Sequence, residues 1–127
     1  MEIAVRLCFI GIGGAFGAIA RHLLNISPLA GHFEKFPLPT FIINITGSIL
    51  LGFLMIVLSD KVVVSENLRM AIIVGFLGAF TTFSTFEAEI FGLLRERLWG
   101  LTLFYMFASV AVGFFGLLVG VWLGRKI

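Results

Sequence analysis

A run of polar side chains interrupts an apolar stretch near the middle of the chain, in the string GAFTTFSTFEAE at residues 78 to 89. Glycine weakens a helix interior by about 1 kcal/mol relative to alanine, and threonine hydroxyls compete for backbone hydrogen bonds. Two alternatives follow. Either the helix breaks here and its freed carbonyls face water, protein or an ion, or it continues and the hydroxyls bond to their own preceding turn.

Side chains beyond the threonines of this string share helix faces. Phe83 and Phe86 lie three residues apart, and Thr82, Thr85 and Glu89 share another face. Paired phenylalanines either pack in a core or present their positive ring edges to an anion. Glu87 and Glu89 would both be costly against lipid. We therefore expect them to pair with Arg95, Arg97 or a hydroxyl near the membrane boundary, and a proton-coupled role is the alternative.

Two other stretches carry small or polar residues at helical spacing. They are Asn44, Gly47 and Ser48 in the second apolar stretch, and Tyr105, Ser109 and Gly113 in the last one. Asn44 could join two helices or donate its amide to an anion. Arg21, near the end of the first stretch, is either an interfacial anchor or a positive charge that gathers anions at a vestibule.

The composition explains why these polar residues are conspicuous. Hydrophobic residues make up 60% of the chain and charged residues only 13%, about half the usual charged fraction of a soluble domain. Four segments, at about 3–24, 39–58, 68–94 and 99–123, are long enough to cross a membrane. We predict one all-α, multi-pass membrane domain over residues 1–127. No nucleophile–base pair, phosphate loop or metal cluster is present, which argues against an enzyme.

The basic residues are almost evenly divided between the two sides of the membrane. One side would carry Arg6, Lys61, Arg69, Arg125 and Lys126, and the other Arg21, Lys35, Arg95 and Arg97. Since the excess of Lys and Arg sets orientation, this near tie indicates that copies insert both ways and pair as an antiparallel dimer. The alternative is that one strong loop decides the orientation.

Glycines at four-residue spacing predict close helix packing in lipid. Gly13 and Gly17 form such a pair in the first span, and Gly116, Gly120 and Gly124 extend the spacing in the fourth. The pattern leaves open whether the partner helix belongs to the same chain or to another.

Three strings together, GGAFGAIARH, INITG and GAFTTFSTFEAE, resemble the Fluc (CrcB) family of microbial fluoride channels, and the resemblance covers the whole chain. It implies a passive, fluoride-selective channel that exports fluoride across the cell inner membrane and so relieves its toxicity. It further implies an antiparallel, dual-topology homodimer with two pores, a third helix broken near its middle, and a structural sodium ion at the dimer interface.

The resemblance also assigns roles to residues of this chain. It implies that the backbone carbonyls of Gly78 and Thr81 hold the sodium and that Asn44, Phe83 and Phe86 line the pore. It also implies that fluoride is carried onward by Thr82, Thr85, Glu89, Tyr105 and Ser109, and that Arg21 lies at the vestibule. Three positions depart from the family pattern: Ala79 stands where glycine is frequent, His22 where tyrosine is common, and Gly113 where a hydroxyl is often found.

The nearest alternative is a small, dual-topology, proton-coupled exporter of the multidrug type. Such an exporter needs a carboxylate embedded in its first span, and residues 3–24 contain none.

Overall fold

The computed structural model describes the whole chain, residues 1–127, and it is entirely helical. Four helical spans are long and apolar enough to cross a membrane: Glu2–Asn25, Leu38–Lys61, Glu66–Arg95 and Trp99–Lys126. The prediction of an all-α protein with four spans is therefore confirmed, with bounds close to those expected from hydropathy. This architecture makes the chain a multi-pass membrane protein, since a helix satisfies its own backbone hydrogen bonds inside lipid.

The spans contain shorter elements. The α-helices are α1 (Glu2–Asn25), α2 (Leu38–Ile56), α3 (Glu66–Met70), α4 (Gly78–Phe80), α5 (Phe83–Arg95) and α6 (Trp99–Lys126). Val57–Lys61 and Ala71–Leu77 are π-helical, and Pro28–Gly31 forms a short 3-10 helix in the first loop. The third span is thus a composite of α3, a π-helical segment, α4 and α5.

The second and fourth spans pack against each other along their length, through glycine. A Cβ added at Gly120 would overlap the backbone carbonyl of Ile49, and one added at Gly52 would overlap the carbonyl of Leu117. Helix backbones can approach this closely only where a residue has no side chain. In lipid such close packing holds helices together, since the hydrophobic effect does not act between them. The glycine stripe of the fourth span therefore meets its partner within the same chain.

The first span uses its own glycine pair in the same way. A Cβ at Gly13 would overlap the carbonyl oxygen of Ala71, and one at Gly17 would overlap that of Phe76. Both carbonyls belong to the π-helical segment of the third span. The question that the sequence left open is answered for both stripes: the glycines pack helices of one chain together.

Most of the remaining surface is apolar, as expected of a surface that faces lipid. Phe16 and Ile19 on the first span are 65% and 58% exposed. Trp99 and Trp122 are exposed near the two ends of the fourth span, where tryptophan prefers the membrane interface. The ammonium of Lys126 lies 4.5 Å from the ring centroid of Trp122, a cation–π contact at the same boundary.

Local capping explains where two elements begin and end. The Ser65 hydroxyl accepts a 3.2 Å hydrogen bond from the Leu68 N–H and so caps the start of α3. After α5 the chain reverses at Arg97, which has φ 60°. The Arg97 N–H bonds the Leu94 carbonyl and the Leu98 N–H bonds the Leu93 carbonyl, both at 3.0 Å. This is a Schellman motif with arginine where glycine is usual.

Candidate functional site

Two threonines, Thr81 and Thr82, lie between α4 and α5 in the third span. α4 ends at Phe80 and α5 begins at Phe83, while Thr81 (φ −77°, ψ 156°) and Thr82 (φ −150°, ψ 122°) have extended backbones. The Thr82 hydroxyl accepts a 3.3 Å hydrogen bond from the Thr85 N–H and so caps α5. The Thr81 hydroxyl donates to the Leu77 carbonyl at 2.9 Å, back into the preceding turn. Both hydroxyls therefore satisfy backbone groups at helix ends.

Asn44 on α2 is hydrogen-bonded to the backbone of Thr82. Its Nδ2 donates to the Thr82 carbonyl at 3.0 Å, and its Oδ1 accepts from the Thr82 N–H at 2.9 Å. One amide N–H of Asn44 remains unused, because a primary amide carries two. The side chain thus joins the second span to the third and keeps one free donor.

A cavity of about 420 Å³, which we call the midspan cavity, opens beside these two threonines. It is lined by Asn44, Gly47, Ser48, Leu51, Ile73, Leu77, Gly78, Thr81, Thr82 and Phe83. The predicted polar face of the second span lies here in full. The cavity also brings Asn44, Thr82 and Phe83 together with Gly78 and Thr81, five of the residues that the resemblance singled out.

Backbone carbonyls beside the midspan cavity lack hydrogen-bond donors. The carbonyls of Gly78 and Thr81 accept no hydrogen bond from backbone or side chain. Gly78 is exposed, and a Cβ added there would meet nothing within 4 Å. At membrane depth, carbonyls without a hydrogen-bond donor are tolerated only beside protein, water or an ion.

The two predicted pore phenylalanines lie in different environments. Phe83 is 70% exposed and lines the midspan cavity, whereas Phe86 is only 8% exposed and does not. Their ring centroids are 6.0 Å apart with planes tilted by 42°. Phe86 also packs edge-to-face on Tyr105 at 5.0 Å and belongs to a small buried cluster with Leu93. The two neighbouring rings therefore extend from the midspan cavity to the buried cluster.

Glu89 lies between two hydroxyls. Thr40 Oγ1 donates to Oε1 and Tyr105 Oη donates to Oε2, both at 2.7 Å. Thr40 and Tyr105 are almost fully buried, and no cation forms an ion pair with this carboxyl group. The expected pairing of Glu89 with a hydroxyl is confirmed. Glu87, by contrast, is exposed.

Thr40, which bonds Glu89, was not among the residues predicted from the sequence. It lies one helical turn before Asn44 on the second span, and its side chain is 1% exposed. Its i, i+4 spacing to Asn44 would have predicted that the two side chains lie on the same helix face.

The remaining predicted residues are more scattered. Thr85 is half-buried on α5, and the Ser109 hydroxyl is buried without a hydrogen-bond partner. A Cβ at Gly113 would lie 3.7 Å from the Ser48 hydroxyl, so the fourth span's stripe approaches the polar face of the second. Arg21 is half-buried on the first span, does not line the midspan cavity, and makes no ion pair.

Comparison with known proteins places the chain in a family. The family model described as "CrcB-like protein, Camphor Resistance (CrcB)" matches residues 8–121. A protein of Magnetococcus marinus named "Fluoride-specific ion channel FluC" is 36% identical over 97% of this chain and 100% of its own length. Proteins of the same name from Hydrogenovibrio crunogenus and Saccharophagus degradans are 37% and 36% identical, over 96% and 93% of this chain and 92% and 88% of theirs. The protein belongs to the CrcB family, as the three sequence strings predicted.

Proposed function

We propose that the protein is a fluoride-selective passive channel, and therefore a transporter rather than an enzyme. The observation that carries the proposal is that relatives named fluoride-specific ion channels match almost the whole chain. The chain has its anion-compatible groups, Asn44, Thr82 and Phe83, around one cavity. Bacterial relatives support a location in the cell inner membrane, with export of fluoride from the cytoplasm as the protective direction.

The chemistry of the cavity suits a small anion. A pore must replace the water around fluoride with hydrogen-bond donors, yet bind it weakly enough for release. The free amide N–H of Asn44 is such a donor, and the ring edges of Phe83 and Phe86 carry partial positive charge. No lysine or arginine lines the cavity, so no full charge would trap the ion.

Hydroxyl groups extend the proposed route beyond the phenylalanines. We assign Thr82, Thr85, Tyr105 and Ser109 to this track, together with Glu89. The Ser109 hydroxyl supports the assignment, because it is buried and has no partner within the chain. The Tyr105 proton is directed at Glu89 instead. We assign Arg21 to the vestibule as a positive charge that concentrates anions.

We propose that two copies form an antiparallel homodimer with two pores. The near tie in basic residues favours insertion in both orientations. In one copy the midspan cavity is open and Phe83 is 70% exposed beside the unpaired carbonyls of Gly78 and Thr81. Lipid cannot satisfy such carbonyls, whereas a second, inverted copy placed over this face can. The glycines of the first and fourth spans pack against other spans of the same chain, so the dimer contact does not depend on them.

We further propose that the Gly78 and Thr81 carbonyls hold a sodium ion at the dimer interface. The donor set fits, because neutral carbonyl oxygens are ligands that hard cations prefer and these two accept no hydrogen bond. When bound, the ion supplies a fixed positive charge that joins the third spans of both copies.

The multidrug-exporter alternative has no observation in its favour. The first span carries a carboxylate only at Glu2, its first residue, and membership in the CrcB family does not support that class.

Fluoride efflux from proteoliposomes, followed with a fluoride electrode, tests the proposal. We expect rapid fluoride efflux and no chloride efflux from vesicles loaded with both. Silent vesicles that contain folded protein would overturn the channel proposal, and equal efflux of the two anions would overturn the selectivity.

A further inference from the structure

Asn44 and Thr82 are 38 residues apart in sequence. The side-chain amide of Asn44 forms hydrogen bonds with both the backbone N–H and the backbone carbonyl of Thr82. The Thr82 N–H donates to Oδ1 at 2.9 Å and the Thr82 carbonyl accepts from Nδ2 at 3.0 Å. A neighbouring β-strand would offer the same pair of bonds. The reversed amide would place donor against donor, so these contacts also determine the orientation of the Asn44 amide.

This pair of bonds changes the hydrogen bonding of the third span. In a continuous α-helix the Thr82 N–H would donate to the carbonyl four residues earlier, that of Gly78. Here it donates to Asn44, and the Gly78 carbonyl accepts nothing. Thr82 keeps its extended conformation, with φ −150° and ψ 122°.

We propose that Asn44 is a positioning residue whose amide holds Thr82 in this extended conformation and keeps the third span interrupted. It thereby fixes the start of α5 at Phe83 and leaves the Gly78 carbonyl free. The effect on fluoride conduction rests on the proposed function, but the positioning role does not. If Asn44 only donated a hydrogen bond to a passing anion, its removal would not change the backbone conformation of Thr82.

The sequence allows the Thr82 amide to be observed alone. Thr81–Thr82 is the only Thr–Thr dipeptide in the chain. Full-length protein in micelles, labelled with threonine carrying ¹³C at its carbonyl and ¹⁵N at its amide, therefore gives one NMR correlation through the Thr81 carbonyl to the Thr82 N–H. Its proton shift and its rate of exchange with water report the bond to Asn44.

The main comparison is between Asn44→Leu and a control on the same helix. We expect Asn44→Leu to move the Thr82 proton upfield and to speed its exchange on the order of ten-fold, the factor that loss of one hydrogen bond implies. Thr46→Val is the control, because the Thr46 hydroxyl bonds only its own helix, at Ile42 and Ile43. It should leave the signal unchanged. A wild-type Thr82 signal in Asn44→Leu overturns the proposal.

A second variant decides the matter if Asn44→Leu does not fold. Asn44→Asp keeps an oxygen that accepts from the Thr82 N–H, so we expect the Thr82 proton to stay hydrogen-bonded and its exchange to stay slow. Fast exchange and an upfield shift in Asn44→Asp would overturn the proposal. Absence of fluoride efflux from wild-type vesicles would reject the proposed function, while the Thr82 signal would still decide the role of Asn44.

Discussion

The phenol of Tyr105 donates a 2.7 Å hydrogen bond to Oε2 of Glu89, and this bond joins the fourth span to the third. Tyr105→Phe removes the donor and leaves one oxygen of Glu89 without its partner. We expect the free energy of unfolding to fall by about 1–3 kcal/mol, the usual penalty for an unpaired buried polar group, as measured by denaturant unfolding in micelles. Thr102→Val is the control, because the Thr102 hydroxyl bonds only its own helix at Leu98. An equal fall in the free energy of unfolding in both variants would contradict a specific contribution of the bond between Tyr105 and Glu89.

Phe86→Ile tests the pore assignment. The substitution keeps a bulky apolar side chain but removes the ring edge, so we expect fluoride efflux to fall while the protein remains assembled. Phe91→Ile on the same helix is the control, since Phe91 is 63% exposed and does not line the midspan cavity, and it should conduct like the wild type. Efflux at the wild-type rate from Phe86→Ile would reject the role of this ring.

Two glycines of the first span allow a matched test of packing. Gly13→Ala would drive a methyl group into the Ala71 carbonyl, whereas a Cβ at Gly11 would meet nothing within 4 Å. We expect Gly13→Ala to lower the free energy of unfolding by about 1–3 kcal/mol through overpacking. Gly11→Ala should be neutral or should stabilise by up to about 1 kcal/mol through helix propensity. Identical behaviour of the two variants would contradict the contact between the first span and the π-helical segment.

Arg97 has left-handed backbone geometry, with φ 60°. This conformation costs roughly 1–2 kcal/mol for an L-residue, and glycine adopts it without a Cβ clash. We expect Arg97→Gly to raise the midpoint of thermal unfolding. Arg95→Gly, two residues earlier and inside α5, should lower it, because glycine weakens a helix. A fall in the midpoint for Arg97→Gly would show that the arginine side chain contributes more than its backbone costs.

Lys35 and Glu96 form an exposed ion pair at 2.8 Å between the first loop and the end of α5. The hydrogen bond and the charge of Glu96 raise the pKa of Lys35 above its ordinary value of 10.5. The pair therefore stabilises the fold fully below the unfolded pKa, and that contribution is lost as pH rises through the raised folded pKa. In Glu96→Gln, NMR of ¹³C-labelled lysine should show Lys35 losing its proton at lower pH than in the wild type. Unchanged titration would mean that the pair does not persist in solution.

Local features of the sequence predicted the membrane architecture. Four apolar stretches of sufficient length specify four helices, because lipid offers no other partner for backbone groups. The cap at Ser65 is likewise a local feature, because capping depends on neighbours in sequence. The glycines and threonines of residues 78 to 89 left a continuous and an interrupted helix as alternatives, and the extended backbones of Thr81 and Thr82 lie within this string.

Only the tertiary structure decided which groups meet. The hydrogen bond of Thr40 to Glu89 spans 49 residues of sequence, and that of Asn44 to Thr82 spans 38. The partners of Gly13 and Gly120 likewise lie on other spans. Hydropathy and helix propensity are properties of short segments. The facing of two helices depends instead on their rotation and axial position, which close backbone packing sets jointly for the whole bundle.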